Sequence, residues 1–230
     1  SSYSVTGVQT CALPILALGC SFPRAFCAFL WLTIAFATSA FAATRYVWQD
    51  SPSPAPPYTS WANAAHTIQD AVDAADPGDT VLVTNGVYAT GGRAGHGTLT
   101  NRVAVDKPLK LLSVNGPELT AIQGYQLPVT TNGDGAIRCV YLADGASLSG
   151  FTLTNGATRM EGDWPHETSG GGVSCESTNA AVSNSVLTGN AAYSGGGGAY
   201  QGTLINCALT GNSAADGGGA GLRDREVWRG

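Results

Sequence analysis

The chain has 230 residues with 43% hydrophobic side chains, enough for one sizeable folded domain and too apolar for an intrinsically disordered tail. Its net charge of −5 argues against a nucleic-acid-binding protein, which needs a basic surface to displace counterions from phosphates. Only 12% of the residues are charged and 31 are glycine, a composition that favours a long β protein rich in turns.

The N-terminal residues are set apart from the rest of the chain. Residues 5–15 (VTGVQTCALPI) resemble the in-frame translation of a common sequencing-library adapter over their whole length. We therefore predict that residues 1–15 are an artefact that the native gene lacks, and we leave them out of the fold. The alternative is a genuine N-terminal extension.

Residues 16–42 have the anatomy of a secretory signal peptide. Arg24 precedes the apolar run 25–37, and the small residues of Ala40-Phe41-Ala42 then form a cleavage pattern. The run is shorter than the roughly 20 residues that cross a bilayer, so no stable membrane span is expected after cleavage. An uncleaved anchor is the alternative. The sequence thus predicts a secreted or cell-surface protein.

Three cysteines remain after this cleavage, namely Cys139, Cys175 and Cys207. An odd number leaves at least one thiol unpaired in an oxidising compartment. Their spacings of 36 and 32 residues match no compact zinc site, so we expect them to be small, buried core side chains.

The mature chain opens with a lead-in and one helix. Residues 43–66 include a stretch rich in serine and proline and are predicted to be an extended lead-in. Within residues 67–75 the apolar side chains recur at helical spacing, and Thr67 is a suitable N-cap. Asp76-Pro77-Gly78-Asp79 ends the helix, and residues 80–84 are predicted to form a strand closed by Asn-Gly.

After this strand the sequence predicts only short strands and an internal repeat. Residues 182–197 and 204–219 are identical at nine of sixteen positions with an offset of 22, and residues 148–156 are a looser copy. A period near 20–25 with short strands is typical of a β-solenoid. Further strands are predicted at Val103–Val105, Leu109–Val114, Leu119–Ile122, Ile137–Leu142 and Leu148–Leu153.

In a solenoid, equivalent residues of successive turns stack into columns. We predict two interior columns of apolar or small side chains, and one column of asparagines at a turn. Their members include Phe151, Leu153, Leu187, Asn190, Cys207, Leu209 and Asn212.

Two segments resemble known β-helix proteins. The stretch from Thr67-Ile-Gln-Asp-Ala-Val to Asn85-Gly86-Val87-Tyr88 resembles the start of bacterial pectin-lyase-like right-handed parallel β-helices. The Leu-Thr-Gly-Asn…Gly-Gly-Gly-Ala units resemble repeats of polymorphic outer-membrane proteins, with Leu187 and Leu209 in place of phenylalanine. The resemblance implies an all-β, right-handed parallel β-helix over residues 67–222 with a short N-terminal capping helix. It implies no single function, because the family includes lyases, glycosidases, adhesins and passive surface proteins.

The repeat pattern stops after residue 222. Residues 223–230 hold three arginines where another strand is expected. We predict that they are an off-pattern tail on a truncated β-helix whose later turns are missing. A polar terminal cap is the alternative.

No catalytic motif is recognised after the capping helix. The sequence lacks the closely set Asp pairs that polygalacturonase-like enzymes use, and its glycine-rich runs do not open helices. Asp134 and Arg138 are close enough to share a face, and we interpret them as a surface ion pair or as turn residues. We accordingly expect no catalytic residue, no metal site and no cofactor.

One segment interrupts the repeats. Residues 157–169 add roughly nine to twelve residues to a minimal turn, and insertions in solenoids often lie on the binding face. An aromatic ring flanked by carboxylates and histidine suits sugar binding. The alternative is a structural loop that packs its tryptophan against the solenoid. The candidate glycan-binding residues are Arg159, Glu161, Asp163, Trp164, His166 and Glu167.

The sequence therefore predicts a secreted or cell-surface β-helix repeat protein of adhesin, surface-display or glycan-binding type, non-catalytic in this part. Its expected partner is a polysaccharide or a cell-surface glycan, and nucleic acid is not expected. The alternative is the N-terminal part of a carbohydrate-active enzyme, either a polysaccharide lyase or a glycoside hydrolase, whose catalytic turns are missing.

Overall fold

The computed structural model describes residues 42–221. The predicted adapter segment 1–15, nearly all of the predicted signal peptide and the off-pattern tail 223–230 lie outside the described residues. Within residues 42–221, no helix is both long and apolar enough to cross a bilayer.

The described residues form a parallel β-solenoid of about four turns, in which three sheets run along the axis. The first sheet consists, in spatial order, of β1 (Thr44–Val47), β2 (Thr80–Val83), β6 (Lys110–Ser113), β9 (Ser147–Ser149), β12 (Ala181–Ser183) and β15 (Thr203–Ile205). The second consists of β3 (Gly86–Tyr88), β7 (Thr120–Gln123), β10 (Thr152–Thr154), β13 (Val186–Thr188) and β16 (Ala208–Thr210). The third consists of β4 (Arg93–Ala94), β5 (Thr100–Val105), β8 (Ile137–Leu142), β11 (Val173–Cys175), β14 (Ala199–Tyr200) and β17 (Ala220–Gly221). Neighbouring strands are parallel except β4 and β5, which are antiparallel. The predicted β-helix architecture is confirmed.

The predicted helix at residues 67–75 is also confirmed, with slightly shorter bounds. Helix α1 (Ile68–Asp73) follows a single 3-10 turn at Trp61–Asn63, and Thr67 is its N-cap. The Thr67 Oγ1 atom accepts a hydrogen bond from the Asp70 backbone N–H, which satisfies one free donor of the first turn. The helix contacts β1, β2 and β5 through its apolar face. The residues of its buried face are Ile68, Gln69, Ala71 and Val72.

The predicted lead-in 43–66 contributes more to the fold than expected, because its residues Thr44–Val47 form β1. Val47 is fully buried, and the Arg45 Nε and Nη2 atoms donate hydrogen bonds to Asp79 Oδ2 over 3.1 and 3.0 Å. These contacts join β1 to the turn before β2. Four alternating residues ahead of a proline-rich segment are too short a pattern to predict a strand.

The predicted strand Leu148–Leu153 is divided by a corner into β9 and β10. Gly150 lies at the corner with a φ of 81°, in the left-handed region that glycine enters without a Cβ clash. Asn184 and Asn206 hold the equivalent corners of the next two turns with φ values of 47° and 51°. Asparagine is one of the few other residues that tolerate this conformation. In these three successive turns, the corner is therefore formed by a residue that tolerates positive φ.

The apolar columns pair in register along the solenoid. Leu153 lies opposite Leu187, and Leu187 lies opposite Leu209. Phe151, Leu153 and Leu187 are fully buried, whereas Leu209 and Cys207 are half-buried and pack against the same core. In both columns, burial of the side chains therefore decreases toward the last described turn.

The asparagines of the repeat stack at the turn that follows the second sheet. Asn190 accepts a hydrogen bond from the Gly156 N–H at Oδ1 and donates one from Nδ2 to the Leu153 carbonyl, both over 2.9 Å. Asn212 repeats these contacts one turn later with the Asn190 N–H and the Leu187 carbonyl, over 3.0 and 2.8 Å. The side-chain amides thus bond the backbone groups that the strand ladders leave open at this corner.

Turn length varies along the solenoid, and the corner between the second and third sheets takes the largest share of the difference. From Thr80, the first-sheet register passes through Lys110, Ser147, Ala181 and Thr203, so successive turns are 30, 37, 34 and 22 residues long. Between the second and third sheets, the three longer turns carry the loops 89–99, 124–136 and 155–172. Because these loops follow equivalent strands of adjacent turns, they lie next to one another.

Candidate functional site

Three neighbouring loops form a continuous face at the corner between the second and third sheets. We call this face the loop corner, and it consists of residues 89–99, 124–136 and 155–172. All six predicted glycan-binding residues lie in its third loop. The side chains of this loop contact the other two loops, so its conformation is set by the solenoid beneath and by both neighbours.

Glu167 fixes the third loop from within. Its side chain is buried, and Oε1 accepts hydrogen bonds from the Thr98 and Leu99 backbone N–H groups over 2.7 and 3.0 Å. Its Oε2 accepts another from the Asp163 N–H over 2.9 Å. Burial alone would raise the pKa of this carboxyl, but the donors, with Arg159 among them, hold the pKa at about 2. Glu167 is therefore an anchor of the loop rather than an exposed ligand.

Two glycines let the backbone approach this carboxylate. A Cβ on Gly97 or on Gly162 would lie 2.4 Å from an atom of the Glu167 carboxyl group, closer than any real contact. Both glycines also have positive φ, at 57° and 124°. The first loop at Gly97 and the third loop at Gly162 thus need glycine for two independent reasons.

Arg138 supports the C-terminal half of the same loop. It is 2% exposed, and its guanidinium donates hydrogen bonds to the backbone carbonyls of His166, Ser169 and Gly170. Burial lowers its pKa to about 10, so the group remains charged at neutral pH. The surface ion pair with Asp134 considered from the sequence does not form, because Arg138 points under the loop.

Asp134 pairs instead with Arg159 of the third loop. The Arg159 Nη2 and Asp134 Oδ1 atoms are 2.7 Å apart, and Arg159 Nη1 lies 3.0 Å from Glu167 Oε1. Arg159 therefore bridges an exposed carboxylate and a buried one. Like Glu167, it is committed to holding the loop rather than open to a ligand.

Trp164 has the opposite placement, since 56% of it is exposed. Glu161 and Asp163 beside it are also exposed, and His166 is half-buried. An open cleft of about 250 Å³ adjoins the tryptophan. The cleft is lined by Trp164, Ser169, Ser194, Gly195, Tyr200, Asp216 and Gly221.

A second group of polar side chains meets at the first and third loops, and we call it the histidine–glutamate cluster. It consists of His96 from the first loop, His166 from the third loop and Glu176 after β11. The two imidazole rings stack with centroids 4.6 Å apart and an interplanar angle of 21°. His96 Nε2 lies 3.1 Å from Glu176 Oε2, and one ligand atom from each of the three residues falls within 4.8 Å of the others.

Two further residues contact this cluster from outside. Asp163 Oδ2 lies 2.9 Å from His166 Nδ1, and the Tyr141 hydroxyl donates a hydrogen bond to Glu176 Oε2 over 2.6 Å. That bond lowers the pKa of Glu176, while burial and then the Glu176 contact raise the pKa of Tyr141 well above its ordinary value. Glu176 is therefore ionised and Tyr141 neutral at physiological pH.

The sequence pattern predicts His166 and Asp163 as site residues but does not indicate His96, Tyr141 or Glu176. His96 and Glu176 are 80 residues apart, and Tyr141 belongs to a third segment. Only the stacking of equivalent strands brings them together. If the loops of successive turns are aligned in the sequence, His96 falls near the 157–169 insertion.

Comparison of the chain with models of known protein families, with curated proteins and with solved structures gives no match.

Proposed function

We propose that this protein is an extracellular β-helix protein that binds a polysaccharide or a cell-surface glycan at the loop corner. The observation that carries the proposal is the exposed Trp164 at the edge of an open, partly polar cleft. A packing residue in a structural loop would be buried against the solenoid. Aromatic side chains bordering a cleft that also holds hydroxyl and carboxylate groups are suited to the apolar faces and hydroxyls of sugar rings.

The cleft offers both kinds of contact. Trp164 supplies exposed aromatic carbon, Ser194 a half-buried hydroxyl group and Asp216 an exposed carboxylate acceptor, whereas Ser169 and Tyr200 line the cleft as buried residues. The cleft is open rather than enclosed, which suits a segment of a chain better than a small metabolite. The anchors beneath the loop keep it in place before any ligand arrives, which lowers the entropic cost of binding.

The sequence patterns support the same proposal. The apparent signal peptide at residues 16–42 favours secretion or cell-surface display, and the repeats resemble those of pectin-lyase-like and polymorphic outer-membrane β-helices. Adhesin-type binding ranks ahead of the alternative, a polysaccharide lyase or glycoside hydrolase, because the cleft borders an exposed aromatic ring rather than a close pair of carboxylates.

Glycan-array binding of the full chain and of Trp164→Ala tests the proposal. Removing the indole takes away its contact area, so we expect binding to weaken by about 1–3 kcal/mol, roughly ten- to a hundredfold, without a change in melting temperature. If the tryptophan were a packing residue, the same substitution would open a cavity and cost about 3–5 kcal/mol of stability.

Trp61→Ala is the matched control. Trp61 is 37% exposed, belongs to the 3-10 turn before the helix and lines no part of the cleft. We expect it to keep the wild-type glycan profile. A full chain that binds no glycan, or a Trp164→Ala variant that melts far lower, would contradict the proposal.

A further inference from the structure

We propose that the histidine–glutamate cluster is a binding site for a divalent transition-metal ion, with His96, His166 and Glu176 as its three protein ligands. Two imidazole nitrogens and one carboxylate oxygen form a ligand set that suits zinc and its neighbours in the first transition row. Three protein ligands leave at least one coordination position for water or another molecule.

The ligand atoms are near the spacing that a metal requires. Ligands about 2.0–2.2 Å from a tetrahedral ion lie roughly 3.3–3.5 Å from one another. His96 Nε2 and Glu176 Oε2 are already 3.1 Å apart, and all three ligand atoms lie within 4.8 Å. To complete the set, the His166 side chain has to move toward the other two ligands and turn out of its stack on His96, because an ion lies in the plane of each imidazole that binds it.

The contacts around the cluster are those that orient metal ligands. Metal-bound histidines commonly donate their second ring N–H to a carboxylate, which fixes the tautomer and the ring. The Asp163 carboxylate is placed in this way at Nδ1 of His166, so that Nε2 is the nitrogen that serves the metal. The Tyr141 hydroxyl donates a hydrogen bond to Glu176 Oε2 over 2.6 Å and lies 2.8 Å from His96 Nε2, so it holds these two ligand atoms next to each other.

The site combines firm support with access from solvent. His166 lies on the loop held by Glu167 and Arg138, so its position does not depend on a metal. The side chains of His96, His166 and Glu176 are 38%, 32% and 37% exposed, and an ion can therefore enter without unfolding. The thiols of Cys139 and Cys175 do not compete, because both are buried in the core of the solenoid.

A bound ion would join segments that are distant in the chain. His96 belongs to the first long loop, whereas His166 and Glu176 flank β11 two turns later. Binding to the folded state alone shifts the unfolding equilibrium, so the melting temperature rises with metal concentration. This readout does not depend on glycan binding, so the metal proposal is tested separately from the proposed function.

The test is a titration of the metal-stripped full chain with Zn²⁺, followed by calorimetry and thermal melting, and with Co²⁺, followed by absorption. We expect one ion per chain and a cobalt spectrum without sulfur-to-metal charge transfer. His96→Gln, His166→Gln and Glu176→Gln should each weaken binding at least tenfold and abolish the metal-dependent rise in melting temperature. Asp163→Ala, which removes only a positioning contact, should weaken binding by about ten- to a hundredfold.

His66→Gln is the matched control, because His66 lies outside the cluster and contacts the Ser51 carbonyl. It should bind zinc as the wild type does. Metal-free melting of every variant separates loss of ligands from loss of fold. The proposal is overturned if the wild type binds no zinc, if binding survives in both cluster histidine variants, or if the cobalt spectrum shows thiolate ligands.

Discussion

Glu167 is the residue that holds the third loop of the loop corner in place. Its buried carboxylate accepts hydrogen bonds from the Thr98 and Leu99 backbone N–H groups, which lie 69 and 68 residues earlier in the chain. A buried acceptor with several backbone donors serves to hold the fold together.

We predict that Glu167→Gln destabilises the protein by about 1–3 kcal/mol, because an amide cannot accept all the hydrogen bonds that the carboxylate accepts. Glu161→Gln, an exposed change on the same loop, should be nearly neutral. Chemical denaturation of both variants at neutral pH measures the difference. Equal stability of the two variants would contradict the anchoring role.

Acid provides a second test of this carboxylate. Its pKa is lowered from 4.5 to about 2, so the ionised form is stabilised by folding. This contribution is present above about pH 4.5 and is lost as the pH falls toward 2. The stability gap between the wild type and Glu167→Gln should therefore narrow over this range, as measured by denaturation at several pH values. A gap that stays constant or widens would show that ionisation of Glu167 does not contribute.

Among the elements, the turns that carry the asparagine column were the best predicted. The repeated Leu-Thr-Gly-Asn unit sets both the strand and the residue that closes it, since a fixed offset in sequence becomes a fixed position on the solenoid. The two-residue strand Arg93–Ala94 and its antiparallel pairing had no such repeat and were missed. Short elements stabilised by tertiary contacts leave little local pattern.

Asn190→Ala should destabilise the protein by at least about 2 kcal/mol, because it leaves the Gly156 N–H and the Leu153 carbonyl without their partners in the interior. Asn212→Ala removes the equivalent contacts at a half-buried position, where water can replace them, and should cost about 1 kcal/mol. Thermal and urea unfolding of both variants checks the order. A larger loss for Asn212→Ala would contradict it.

At the scale of the whole molecule, the fold follows from the period of the repeat, whereas the candidate sites follow from departures from that period. Turns of 30, 37 and 34 residues precede one of 22, and part of the excess lies in the loops that bring His96 and His166 together. A sequence reveals that an insertion exists. Which side chains of two insertions meet depends on loop conformations that local pattern does not encode.

The stacking of turns also determines how far the destabilising effect of a substitution spreads along the solenoid. Each turn contacts mainly its neighbours, so stability is transmitted from turn to turn rather than through a common centre.

Leu187→Ala removes a fully buried side chain between Leu153 and Leu209 and should cost about 2–5 kcal/mol of stability. Native-state hydrogen exchange should show loss of protection in β10, β13 and β16, while β1 and β2 retain theirs. Leu209→Ala, at the same register but half-buried, should affect mainly β16 and to a smaller extent. If instead Leu187→Ala lowers protection equally in every strand, the turns unfold as one cooperative unit and the nearest-neighbour account of this solenoid is wrong.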